Sequence, residues 1–178
     1  MTKQEYLAFS LPYRLKCFSN QTNAIYDITS MSFGNRCLVR VKPNNQRDFL
    51  LPTSRILPIL RPLSDLTKEI EHKGEKFVPI VELAKIAEES NIKILDYKQK
   101  DSVFGVKYIS EEGIECVFAF HEEGQAFAIH SINDRLFDIC MYQLQLFQQV
   151  VKWHFDLFGG IESGEAIDVN ALDINPYK

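Results

Sequence analysis

The chain has 178 residues, of which 46% are hydrophobic and 25% charged, and its formal net charge is −4. That composition is typical of a globular protein and excludes a disordered chain, and no run approaches the roughly 18 apolar residues that a membrane span requires. The charge is unevenly divided: residues 1–61 carry nine Lys and Arg against three Asp and Glu, whereas residues 62–178 carry eleven against twenty-one. We therefore expect a basic N-terminal subdomain (1–61) and an acidic subdomain (62–178) that ends in an acidic tail.

The basic part is predicted to be β-rich after one short helix. Leu11-Pro12 ends that helix, because the residue before a proline is biased away from helical backbone. Turn-forming residues separate the three runs that follow, which are expected to be strands at about 13–19, 24–31 and 36–42.

Residues 49–63 are apolar but are interrupted by three prolines. Each proline removes a backbone donor, so these residues cannot form one continuous helix. They are predicted to form a packed crossing segment between the two parts.

In the acidic part, residues 79–90 have helical periodicity, and four antiparallel strands are expected to follow. A turn at Glu111-Glu112-Gly113 places Tyr108, Val106 and Phe104 opposite Cys116, Phe118 and Phe120. A turn at Glu123-Gly124 places Phe120 opposite Phe127, and a turn at Lys100-Asp101 places Tyr97 opposite Phe104. These turns agree on one continuous aromatic face, which favours a four-stranded meander.

The last predicted element is a long helix at about 134–158, whose apolar stripe would cover the aromatic face. The predicted fold class is therefore α+β: an antiparallel meander covered by a long C-terminal helix, with a smaller β-rich N-terminal part. Such a helix would be roughly 37 Å long, whereas four strands cover only about 20 Å. Its overhanging end is predicted to be a protein interface or a homo-oligomer contact formed by Trp153, Phe155, Leu157 and Phe158.

Basic residues of the N-terminal part are the candidates for binding an anion or nucleic acid. Arg36, Arg40 and Lys42 alternate with apolar residues in the third strand, and Arg14 and Lys16 alternate similarly in the first. A face of this kind can neutralise phosphates, but the acidic part could equally cover it within the protein. The two alternatives predict opposite results in a DNA-binding assay that is titrated with salt.

No catalytic or metal-binding residues can be assigned from sequence motifs. The glycines at 159, 160 and 164 have neither dinucleotide nor P-loop spacing and are interpreted as a helix stop. His154 falls in an apolar stripe and is interpreted as a core histidine. In the meander register, His121 and His130 lie roughly 13 Å apart, too far to share a metal ion.

The four cysteines, Cys17, Cys37, Cys116 and Cys140, lie far apart in apolar patterns and are interpreted as buried free thiols. The chain start has no apolar stretch behind a basic end, so we expect a cytoplasmic protein. We expect no cofactor.

Several stretches together resemble a group of uncharacterised proteins encoded in prophage-like and mobile regions of gut Bacteroides-type bacteria. The residues that carry this resemblance are Leu11-Pro12-Tyr13 with Leu15-Lys16-Cys17, Ile56–Thr67, Phe77-Val78-Pro79-Ile80, Trp153-His154-Phe155-Asp156, Gly160-Ile161-Glu162 and Ala166-Ile167-Asp168. The resemblance implies a phage or mobile-element setting and no known activity. The expected function is a non-enzymatic protein-binding or assembly module. The alternatives are a nucleic-acid-binding protein and an enzyme whose catalytic residues converge from distant segments.

Overall fold

The computed structural model describes residues 3–32, 38–42, 48–132 and 137–178. The chain forms two compact units, which are Met1–Leu63 with Val151–Pro176 (unit 1) and Ser64–Val150 with Tyr177–Lys178 (unit 2). The helices are α1 (Lys3–Ser10), α2 (Pro79–Glu88) and α3 (Gln143–Lys152). The strands are β1 (Lys16–Ser19), β2 (Ala24–Ser32), β3 (Leu38–Lys42), β4 (Phe49–Pro52), β5 (Ile56–Leu60), β6 (Ile70–His72), β7 (Glu75–Phe77), β8 (Lys93–Lys100), β9 (Val103–Ile109), β10 (Glu115–His121), β11 (Ala126–Ser131), β12 (Phe137–Ile139) and β13 (Ile167–Asp168).

Unit 1 is built on a sheet with the strand order β13-β5-β1-β2-β3-β4. All neighbours pair in antiparallel orientation except β13, which is parallel to β5. The predicted alternation is confirmed where the residues are described, because Cys17, Val39 and Val41 are fully buried while Arg40 is exposed. Tyr6 and Leu7 of α1 complete this core.

Residues 49–63 differ from the sequence-based expectation of a crossing segment. They form β4, a 3-10 turn at Thr53–Arg55 and β5, all within unit 1. The prolines explain the extended backbone, and β5 tolerates Pro58 because its pairing with the short β13 is confined to Ile59 and Leu60.

The sheet of unit 2 is an antiparallel meander with the order β12-β11-β10-β9-β8. The predicted register of its three central strands is confirmed: Phe120 pairs with both Phe104 and Phe127, and Phe118 pairs with Val106. The rings of Phe120 and Phe127 lie 4.8 Å apart, and Phe147 of α3 packs edge-on against both.

The predicted register of β8 is wrong by two residues. Tyr97 pairs with Val106 rather than with Phe104. The turn lies at Asp101-Ser102, where Asp101 has φ 53°, and a bulge lies between Ile94 and Asp96. Asp tolerates left-handed backbone, so this turn is as favourable as the predicted one.

The predicted fold class is wrong in its main element, because no long C-terminal helix covers the meander. Residues 137–139 instead form β12, a fifth strand that pairs with Ala128–His130 of β11. A helix at this place would leave the backbone groups at the edge of β11 without partners, and the added strand satisfies them.

The end of α3 at Lys152 is also set by backbone pairing. His154 has φ 64°, and Phe155 forms a parallel bridge with Arg61. The Arg61 N–H donates to the carbonyl of His154, and the Asp156 N–H donates to the carbonyl of Arg61, both at 2.8 Å. The helix therefore ends seven residues before Gly159, where the sequence predicts the stop.

No helix in the described part of the chain is both long and apolar enough to cross a membrane.

Candidate functional site

The junction between β12 and α3 in unit 2 is held by one side chain. The Gln143 Oε1 accepts the Phe127 N–H at 2.9 Å, and its Nε2 donates to the carbonyls of Phe127 at 2.5 Å and Cys140 at 2.9 Å. The side-chain amide thus forms hydrogen bonds with the backbone of Phe127 that a longer β12 would otherwise form with β11. This contact fixes the turn at residues 140–142.

Three large apolar side chains around this junction are exposed: Ile139 by 65%, Met141 by 89% and Leu144 by 71%. They lie within six residues of one another, on β12, in the turn and in the first turn of α3. Single exposed apolar residues are common on protein surfaces, whereas a local group of this kind is typical of surfaces that contact another molecule.

A groove with a volume of about 150 Å³ lies beside these residues. It is lined by Ala87, Ile129, Asp138, Ile139, Cys140, Met141 and Tyr142, none of which is basic. We call the groove together with Leu144 the β12 surface.

Carboxylates set the electrostatics of the β12 surface. A hydrogen bond to Glu89 raises the pKa of Tyr142, and burial, followed by the nearby Glu88 charge, raises the pKa of the Cys140 thiol. Glu88 also accepts a hydrogen bond from Tyr108, whose pKa is raised first by burial and then by this contact. The described surface therefore combines apolar bulk with negative charge.

A second cavity lies in unit 1, where α1, β5 and residues 156–166 converge. It is small, with a volume of about 20 Å³, and is lined by Lys3, Tyr6, Pro58, Leu60, Asp156, Phe158, Gly160, Glu165 and Ala166. Burial lowers the pKa of the Lys3 ammonium group, an effect that the Glu165 carboxylate partly offsets. Burial raises the pKa of the Tyr6 phenol, which donates to the Phe155 carbonyl at 3.5 Å.

The Asp156 carboxylate in this cavity accepts hydrogen bonds from the backbone. Its Oδ1 accepts the N–H groups of Gly160 at 2.9 Å and Phe158 at 3.4 Å, and its Oδ2 accepts that of Ile161 at 2.7 Å. A Cβ at Gly160 would lie 3.3 Å from Ala166, so the loop packs tightly. Because both carboxylate oxygens bind main-chain donors, Asp156 organises this loop and is poorly placed to act as a general base.

Of the five basic residues identified from the sequence, the structure describes the side chains of Arg14, Lys16 and Arg40. Lys16 lies on β1 and forms an ion pair with Asp27 at 2.7 Å, while Arg40 is exposed on β3. Arg14 is exposed in left-handed backbone at φ 59°. The backbone of Lys42 in β3 lies opposite Asp27 of β2. The Lys42 side chain and the whole of Arg36 lie outside the described residues.

The residues predicted to form an overhanging interface lie inside unit 1. Trp153, Phe155 and Leu157 are buried, and Phe158 is half-buried with its ring 5.8 Å from that of Tyr6. The geometric reason for an overhang disappears because α3 ends at Lys152.

The structure agrees with the interpretations of His154 and of the three described cysteines. His154 is buried, as expected of a core histidine. Cys17, Cys116 and Cys140 are buried free thiols, and burial raises the pKa of Cys17 to about 12, whereas Cys37 lies outside the described residues. His121 pairs with Ala126 and His130 with Val117, which is the predicted spacing. The described residues contain no group of three or more metal-ligating side chains.

The sequence analysis missed the β12 surface because Ile139 was assigned to a helix and Leu144 to the helical stripe that was expected to cover the aromatic face. One signal was available: Phe137-Asp138-Ile139 also alternates with the two-residue period of a strand. The Gln143 contact left no signal, since a glutamine in a polar helix face is unremarkable.

Replacing Gln143 with methionine is expected to lower the free energy of unfolding by about 1 to 2 kcal/mol, because the Phe127 N–H and the Cys140 carbonyl lose this partner and the Phe127 carbonyl keeps only the Cys140 N–H. Urea unfolding measures this change. Gln145→Met, on an exposed position of the same helix, is the matched control and should change stability by less than about 0.5 kcal/mol. Equal effects of the two variants would contradict the role assigned to Gln143.

Comparison with protein-family models, with curated proteins and with solved structures finds no match for this chain.

Proposed function

We propose that this protein is a non-enzymatic protein-binding module whose docking site is the β12 surface of unit 2. The observation that carries the proposal is the exposure of Ile139, Met141 and Leu144 beside an apolar groove. Exposed apolar groups near a groove are typical of sites that another protein covers, since their burial drives association.

The chemistry of the cleft in unit 1 favours binding over catalysis. Three backbone N–H groups already bind the Asp156 carboxylate, and burial raises the pKa of the Tyr6 phenol. The Cys17 thiol interacts electrostatically with Lys3, but burial raises the pKa of this thiol to about 12, so it is a poor nucleophile near neutral pH. The phage or mobile-element setting implied by the sequence resemblance stays a prediction.

Nucleic-acid binding through the N-terminal sheet is the second candidate. Arg40 and Arg14 are exposed, which favours it. The ion pair between Lys16 and Asp27 weighs against it, because Asp27 places a carboxylate in the middle of the basic strands.

A capture experiment with matched variants tests the protein-binding proposal. The variant Met141→Glu with Leu144→Glu is expected to lose a host protein that the wild type captures, and to bind the purified partner at least about tenfold more weakly in calorimetry, because charge replaces buried apolar area. Leu50→Glu, which alters an exposed apolar side chain of unit 1, is the control and should retain the partner.

Two results would contradict the proposal. One is a partner that is retained by the Met141/Leu144 variant or lost with Leu50→Glu. The other is no protein partner together with DNA binding that weakens steeply with salt and disappears in Arg40→Glu, which would favour the nucleic-acid alternative.

A further inference from the structure

Among the described residues, the outer edge of β12 is the less protected of the two edges of the five-stranded sheet of unit 2. The opposite edge of the same sheet, β8, carries Lys93, Lys98 and Lys100 together with a bulge between Ile94 and Asp96. Lysines and bulges are the usual protection of an edge strand. In β12, the one charged residue is Asp138, and the exposed Ile139 and Met141 stand at its end.

The hydrogen-bond pattern determines which backbone groups of β12 face outward. The Cys140 N–H donates to the Phe127 carbonyl at 3.0 Å, so the ladder alternates from that pair. Asp138, two residues away, directs its N–H and carbonyl toward Ile129 of β11. Phe137 and Ile139 therefore direct their N–H and carbonyl groups toward the open edge.

An antiparallel strand added at this edge would place one of its residues directly opposite Asp138. The backbones of these two residues would not be hydrogen-bonded to each other. In such a pair the Cα atoms are about 4.5 Å apart and the side chains approach most closely. A residue opposite Ile139 would instead lie on the other sheet face, against that exposed side chain.

A second copy of this chain fits the edge poorly. An antiparallel pairing that uses all three residues of β12 places Asp138 opposite Asp138 of the copy, and like charges in this position are destabilising. Residues 64–150 with 177–178 carry ten Lys and Arg against sixteen Asp and Glu, which adds long-range repulsion. A cationic partner removes both objections.

We propose that β12 binds an extended segment of another protein by antiparallel strand addition, with Lys or Arg opposite Asp138 and apolar residues opposite Phe137 and Ile139. The main chain supplies the hydrogen bonds, and the exposed Asp138 carboxylate selects the cation. This inference rests on the proposed function and defines the class of partner.

The probe is the blocked peptide acetyl-Thr-Val-Lys-Val-Thr-amide, titrated to millimolar concentration into the full-length protein and followed by amide NMR. We expect shifts at Ile139 and its neighbours. Exchanging the peptide lysine for glutamate should weaken binding by about five- to tenfold, because attraction becomes repulsion. Methylating the backbone nitrogens of both valines should abolish binding, since these are the donors that face Ile139 and Phe137.

Asp138→Lys provides the charge-swap control and should bind the glutamate peptide more tightly than the lysine peptide. Asp138 is exposed, so the variant is expected to remain folded. Absence of shifts at β12, equal binding of the methylated peptide, or an unchanged preference in Asp138→Lys would each overturn strand addition. Wild-type dimers in light scattering that the peptide disperses would identify a second copy as the occupant and overturn it as well.

The two proposals fail differently. If the peptide does not bind but Met141→Glu with Leu144→Glu still loses the captured protein, docking at the β12 surface stands and only the strand-addition mode is overturned.

Discussion

Replacing Phe120 with alanine is expected to lower the free energy of unfolding of unit 2 by about 3 to 5 kcal/mol. Phe120 is almost fully buried, and its ring lies 4.8 Å from that of Phe127, 6.2 Å from Phe147 and 6.3 Å from Phe104. Truncation removes the apolar contacts and leaves a cavity between strands that cannot collapse independently. Calorimetry or urea unfolding measures the loss.

The control for Phe120→Ala is Tyr97→Ala, at a half-exposed aromatic position on the edge strand β8 of the same sheet. It should cost less than about 1.5 kcal/mol, since much of the ring is already in water. A loss for Phe120→Ala no larger than that of Tyr97→Ala would show that the aromatic face is not the core of unit 2.

Replacing Asp156 with alanine is expected to destabilise unit 1 by about 2 to 4 kcal/mol, because charge-assisted hydrogen bonds from three backbone N–H groups are lost together. The carboxylate is buried, so water replaces it poorly at the Gly160 and Ile161 N–H groups. Hydrogen exchange should show faster exchange at Gly160 and Ile161, and urea unfolding should show the loss of stability.

Asp168 supplies the matched control for Asp156. Its carboxylate also accepts a backbone N–H, from Asn170 at 2.8 Å, but this contact is exposed. Asp168→Ala should therefore cost about 1 kcal/mol or less. If Asp156→Ala were equally mild and the exchange of Gly160 were unchanged, the loop would not depend on the carboxylate.

The cavity of unit 1 and the β12 surface differ in how far their side chains are already engaged within the protein. The Asp156 carboxylate organises the loop of unit 1, because three backbone N–H groups occupy three of its roughly four acceptor positions. The β12 surface has no comparable internal partner for its exposed Ile139, Met141 and Leu144 among the described residues. The proposed function therefore rests on the exposed side chains of the β12 surface and not on the cavity of unit 1.

Local sequence was sufficient for the centre of the meander. The turns at Glu111–Gly113 and Glu123-Gly124 fix which residues stand opposite each other, and a two-residue period then carries Phe104, Phe118, Phe120 and Phe127 to one face. The helix that begins at Pro79 could also be predicted, because proline at the first helical position and an apolar stripe are local signals. Aromatic packing therefore followed from short-range rules.

Tertiary structure decided the elements whose local signals were ambiguous. Residues 137–158 fit a helical stripe, yet Phe137–Ile139 became a strand and Lys152 ended the helix. In both places the backbone pairs with a strand or segment outside the helix: β12 pairs with the preceding strand β11, and residues 154–156 pair with Arg61, which is far away in sequence. Helical propensity differs by less than about 1 kcal/mol per residue, so pairing with a strand that is already in place outweighs it.

The candidate site followed the same division. The sequence alone predicted the core position of His154 and the alternation that exposes Arg40. It also contained no recognisable catalytic spacing. Only the fold paired Lys16 with Asp27, placed Trp153 and Phe155 in the core of unit 1 and exposed Ile139, Met141 and Leu144 beside a groove. The physical reason is that periodicity records which side of an element is apolar, whereas burial and pairing depend on which distant segment is packed against it.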